Sequence, residues 1–181
     1  MDHAEAAKNN YIIGYTCAQS VVLAFSDVTG LDREKALLIT SSFGAGMGML
    51  REVCGAVNGM MMVMGLLYGY TDPLQIIEKS EHYARVQQIA ELFRNENGSM
   101  ICREILGLAE DGSYLPDVRD GEYHKRRPCA EICASAARII DRYMEDDPYY
   151  NTEKQKGENY ELRTSALQHK GLHAEGYGGL D

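Results

Sequence analysis

Apolar positions along this chain recur every three to four residues rather than every second one. This is the spacing of amphipathic and buried helices. Sustained alternation is absent, and no Asn-Gly or Asp-Gly turn joins two β-rich runs, so no strand is predicted. A first helix is predicted from about Asp2 to Ile13, broken at Gly14. A second opens at Thr16, where Thr16 and Gln19 spell a T-x-x-Q capping box, and ends before Gly30. A third spans about Asp32 to Phe43 with Asp32 as N-cap, and a glycine-rich turn, Gly44 to Gly48, follows. A fourth covers about Glu52 to Tyr68. A fifth is set to start with Asp72 as N-cap and Pro73 at the first helical position, and to run to about Arg94. A short helix is expected over Ser99 to Leu106, a loop over residues 107–127, and a last helix from Pro128 to about Met144. The expectation is an all-α bundle of about six helices over residues 1–145. An irregular or partner-dependent tail is expected over 146–181, where aspartates, five glycines and several tyrosines replace the periodicity.

Composition narrows the class. The 181 residues include 45% hydrophobic and 25% charged side chains, a globular balance. The net charge of −9 argues against nucleic acid, which needs a basic face, and against anionic membrane surfaces. Val53 to Gly69 is uncharged but holds four glycines and Asn58 and has no flanking basic cluster. A buried central helix is expected there, without membrane insertion. Residues 1–10 carry Asp2, Glu5 and Lys8 and no long apolar run, so a cytoplasmic, reducing compartment is expected. Gly44-x-Gly46-x-Gly48 follows no strand and precedes no Lys-Ser/Thr, which makes it a poor nucleotide loop.

The candidate chemistry lies in cysteines. Cys17 follows the cap Thr16, Cys54 falls at the start of the fourth helix, Cys102 lies three residues after Ser99, and Cys129 follows Pro128. Four helix starts thus carry four cysteines. A helix N-terminus offers free N–H donors and partial positive charge, so a lowered thiol pKa is expected at each. Such thiolates suit metal ligation or disulfide exchange. Cys133, one turn after Cys129, reads as an apolar filler or as a fifth ligand or resolving thiol. Gly55 and Gly59, and likewise Gly65 and Gly69, are four apart. Such spacing allows a close backbone approach or room for a bulky centre against the helix, and it suits a homodimer or an intrachain contact equally. Met60, Met61, Met62 and Met64 read as adaptable core. The five histidines sit in polar contexts or at the ends, and no Ser/His/Asp constellation stands out. His124 to Arg127 form a basic cluster ahead of Cys129 that would favour its thiolate or bind an anion.

Read in order, Cys17-Ala18-Gln19-Ser20, Phe43 to Gly48, Cys54-Gly55-Ala56-x-x-Gly59, Cys102-Arg103-Glu104 and Cys129 ahead of Ala136-Ala137 carry a resemblance. The series resembles the redox-active protein family named for one cysteine, a CGAxxG-type segment and two further cysteines. It is also similar to the non-haem part of split-Soret cytochromes, although no C-x-x-C-H for covalent haem is present. The first resemblance implies a small helical protein with four characteristic cysteines, here Cys17, Cys54, Cys102 and Cys129. The second implies an iron–sulfur centre and a dimer.

Three readings stay open. The four cysteines hold an iron–sulfur cluster for electron transfer with an unidentified redox partner, with Gly55 and Gly59 making room for it. Alternatively they act without metal as redox thiols, with Cys17 and Cys54 as the pair. In the third, they hold zinc in a non-catalytic module.

Overall fold

The computed structural model describes residues 1–108, 122–123 and 127–147. The chain folds as α1 (His3–Ile12), α2 (Cys17–Ala24), α3 (Ser26–Thr29), α4 (Arg33–Thr40), a 3-10 turn (Ser41–Phe43), α5 (Gly44–Met47), α6 (Gly55–Tyr68), α7 (Ile76–Asn97), α8 (Cys102–Leu106) and α9 (Cys129–Asp146). Among the described residues there is no β-strand, only an isolated antiparallel bridge between Val53 and Ile101. The fold is all-α, as the periodicity requires. Residues 109–121, 124–126 and 148–181, which include most of the expected loop and tail, lie outside the described residues.

Local signals place several helix starts. The Asp2 carboxylate accepts from the Glu5 N–H at 3.0 Å, and Asp32 accepts from Lys35 at 3.0 Å. The capping box at α2 is complete: Thr16 Oγ1 accepts from Gln19 N–H at 3.3 Å, and Gln19 Oε1 accepts from Thr16 N–H at 3.0 Å. Three other starts differ from the sequence expectation. The helix expected from Glu52 begins at Gly55, because the preceding backbone is bonded to a distant segment. Cys102 N–H donates to the Glu52 carbonyl at 2.6 Å, and Cys54 N–H donates to Met100 at 2.8 Å. Asp72 caps no helix; its carboxylate closes a turn by accepting from Leu74 N–H at 2.9 Å, and α7 starts at Ile76. Ser99 likewise accepts from Ile101 N–H at 3.0 Å in a local turn, and α8 starts at Cys102.

Helices α1 and α9 lie against each other, α2 packs on both α1 and α6, and α7 flanks α9 and α6. The core combines Val21, Val22 and Phe25 with Met60, Val63 and Met64 of α6, Phe93 of α7, and Cys133, Ile139 and Ile140 of α9. Each such aliphatic or aromatic side chain contributes roughly 1.5–3 kcal/mol when buried. Met60 and Met64 are fully buried, in keeping with their reading as adaptable core. No helix of the described residues is long and apolar enough to cross a membrane.

The α2–α6 crossing depends on the paired glycines. A Cβ on Gly55 would stand 2.6 Å from the Phe43 carbonyl oxygen and 3.0 Å from Cys17 Cβ; one on Gly59 would stand 2.9 Å from the Ala18 carbonyl oxygen. These two glycines are therefore spent on bringing two helices of the same chain together.

His3, near the start of the chain, does not face solvent. It is buried, stacks on Phe25 at 4.2 Å, and hydrogen-bonds Asp141 at 2.5 Å and Asp27 at 3.1 Å. It thereby ties α1 to α3 and α9.

Candidate redox site

Four helix starts deliver the four cysteines. Cys17, Cys102 and Cys129 are the first residues of α2, α8 and α9, and Cys54 is the N-cap of α6. All four line one cavity of about 30 Å³, room for one or two waters, together with Tyr11, Ala45, Arg51, Tyr123 and Arg127. Cys17, Cys54 and Cys102 are buried, and Cys129 is partly exposed. Gly55 and Gly59, expected beside a bulky centre, do not line this cavity and pack against α2 instead.

The expected fall in thiol pKa does not occur. Burial pushes the Cys54 thiol up to about 12, even though the backbone N–H groups of Ala56 and Val57 in the first turn of α6 donate to it. Cys17 hydrogen-bonds Cys129, which pulls it down. Its bond to Cys133, its burial and the neighbouring sulfurs outweigh this and leave it well above the ordinary thiol range. Cys129 is raised by the same Cys17 contact and by burial, against a hydrogen bond from Tyr11. Cys102 is raised by burial, and Arg51 opposes that by hydrogen bond and charge. A helix N-terminus supplies up to about 2 kcal/mol, whereas full burial shifts a thiol by as much as roughly 3–5 units, so burial wins. Without a cation these sulfurs stay protonated.

As thiols, the sulfurs pair with one another. Cys17 and Cys129 share a hydrogen bond, and Cys133 Sγ donates to the Cys17 carbonyl at 3.8 Å. Cys133 is thus buried core in contact with the site, and it does not line the cavity. Among the described residues no group of three or more His, Cys, Asp or Glu is arranged to hold a metal ion. In its chemistry the donor set still suits a soft metal: the lining offers four sulfurs and no carboxylate or imidazole. Cys17 meets Cys129 by hydrogen bond, a contact across 112 residues that spacing did not reveal.

Sequence reasoning also missed Tyr11 and Arg51. Tyr11 is buried, and its hydroxyl lies 3.1 Å from the Tyr123 hydroxyl. Arg127, seen in the sequence only as part of a basic cluster, stacks its guanidinium over Tyr123 at 5.0 Å and reaches the cavity. His124, Lys125 and Arg126 lie outside the described residues.

The loop before Cys54 has an unusual backbone. Ala45, Met47, Met49 and Arg51 have φ of 52°, 65°, 73° and 61°, the left-handed region, alongside Gly46 and Gly48. Left-handed geometry costs a non-glycine residue roughly 1–2 kcal/mol. The loop is held by Glu52 N–H donating to Gly46 at 3.1 Å and Arg103 N–H donating to Arg51 at 3.0 Å. Gly46 is required there, since a Cβ would stand 2.6 Å from Cys102 Cβ.

Residues 15–143 match the family model described as "Putative redox-active protein (C_GCAxxG_C_C)". No curated protein and no solved structure matches the chain.

Proposed function

The chain belongs to this redox-active family, and from that premise we propose that it is an electron-transfer protein whose Cys17, Cys54, Cys102 and Cys129 ligate an iron–sulfur cluster. One observation carries the reading. Cysteines separated by 37, 48 and 27 residues, each at the start of a different helix, line the same cavity. Cysteines buried merely as small apolar residues have no reason to share both a helix position and a cavity.

The surroundings favour several thiolates at once only when a cation is present. Burial opposes ionisation of each sulfur, and metal ligation reverses this with release of the thiol protons. The Ala56 and Val57 N–H groups and the guanidiniums of Arg51 and Arg127 then offset the sulfur charge. The Cys17–Cys129 hydrogen bond is given up on ligation, since two thiolates share no proton. When bound, the cluster supplies a one-electron couple, the electron arriving from one redox protein and leaving to another.

The same Cys17–Cys129 hydrogen bond supports a second reading, a metal-free dithiol. There, Cys17 and Cys129 close to a disulfide and pass two electrons and two protons to a partner disulfide, which becomes two thiols.

Anaerobic purification separates the two. A cluster gives broad absorption at about 320–420 nm with iron and acid-labile sulfide. Serine at any of the four positions abolishes it, and Cys133→Ala retains it. A colourless, metal-free protein that forms a Cys17–Cys129 disulfide overturns the cluster in favour of the dithiol. Stoichiometric zinc without iron indicates a structural module instead.

A further inference from the structure

The left-handed loop ends at Arg51, and three observations converge on that residue. Its φ of 61° is one that a residue bearing a Cβ rarely adopts. Its side chain lines the cysteine cavity and hydrogen-bonds Cys102. Its Nε is buried and has no hydrogen-bond partner among the described residues. An arginine free to choose would turn its head toward water, as long cationic side chains ordinarily do. Here the backbone is instead pinned on both sides, by Gly46 packed against Arg51 and Cys102 and by Arg103 N–H on the Arg51 carbonyl. Strain of this kind, kept beside a site, points to a function for the residue it displays.

We propose that Arg51 is the positioning and potential-setting residue of the redox centre: the left-handed loop directs its guanidinium into the cavity, where it orients the Cys102 sulfur and sets a fixed positive charge beside the cysteines. The inference rests on the reading of the four cysteines as the ligands of an iron–sulfur centre. Adding an electron raises the negative charge of the centre, and a neighbouring cation stabilises the more negative state. Arg51 therefore raises the reduction potential. Its planar fork also fixes a direction that a lysine ammonium does not.

The test is a spectroelectrochemical titration of the full chain, purified anaerobically, as wild type, Arg51→Gln and Arg51→Lys. The Gln variant is expected to lower the reduction equilibrium constant at least about tenfold, which is about 59 mV for the one-electron couple of a cluster. The Lys variant is expected to fall less far. Arg51→Gly removes the side chain while relaxing the left-handed backbone, so it stays measurable if the Gln variant does not fold, and the same drop is expected. Variants that change the melting temperature but titrate at the wild-type potential overturn the proposal and leave Arg51 a structural residue. A wild type with no redox couple overturns the redox reading and this inference together; a wild-type couple with unmoved variants overturns this inference alone.

Discussion

Alanine substitutions at Gly59 and Gly65 are expected to have opposite signs, although both glycines lie within α6. Replacing an interior helical glycine by alanine gains roughly 1 kcal/mol through backbone entropy. At Gly65 nothing stands within 4 Å of the added methyl, so that gain is realised whole. At Gly59 the methyl would stand 2.9 Å from the Ala18 carbonyl oxygen, 3.0 Å from Val21 Cβ and 3.3 Å from Ala18 Cα. A backbone oxygen cannot rotate away, so α2 and α6 must separate by a few tenths of an ångström. Overpacking of this kind costs about 1–3 kcal/mol. Set against the gain of roughly 1 kcal/mol, the net is a loss of about 0–2 kcal/mol. The two variants should therefore differ by about 2 kcal/mol, or about 4–8 °C in melting temperature for a chain of this size. Urea denaturation followed by far-ultraviolet circular dichroism, with unchanged m-value, reads the difference directly. Equal stabilisation by both substitutions would refute the close α2–α6 crossing, and with it the placement of Cys17 beside Cys54.

Two further outcomes follow from buried groups. His3→Ala removes the stack on Phe25 and the bonds to Asp27 and Asp141, and should cost about 1–3 kcal/mol; unchanged stability in urea would show that the clasp does not form. The metal-free protein should lose stability in alkali. Cys54 has a folded pKa of about 12 against 9.0 for an ordinary thiol, so above pH 9 the unfolded chain ionises first. Stability is fully present below that pH and falls by roughly 1.4 kcal/mol per pH unit toward pH 12 from this thiol alone. Cys54→Ala should flatten the slope under reducing conditions, and a slope unchanged by the substitution contradicts the assignment.

What could be read without coordinates was local. The 3.6-residue period carried the all-α class, and the caps at Asp2, Thr16 and Asp32 were visible because cap and acceptor are neighbours in sequence. Starts at Glu52, Asp72 and Ser99 were misplaced because a distant strand-like pairing and two side-chain turns took up the backbone groups a helix needs. The cysteines' place at helix starts was legible. Their pKa direction was not, since burial is a tertiary property and exceeds the local dipole. Arg51 gave no sign of its inward aim, because an arginine after a glycine-rich turn ordinarily faces solvent. Tyr11 was hidden for a related reason: its partner Tyr123 lies 112 residues away.

The dispersal of the four helix starts also sets an order of events during synthesis. Cys17, Cys54 and Cys102 have all emerged before Cys129 is made, yet the cavity lacks its fourth wall until α9 folds back on α1. A nascent chain stopped short of residue 127 holds three of the four thiols and neither Arg127 nor the apolar stripe that closes the bundle. Closure of the site therefore comes after its other three walls have been made. Truncation anywhere before the last helix leaves the cavity without its fourth thiol as well as shortening the chain.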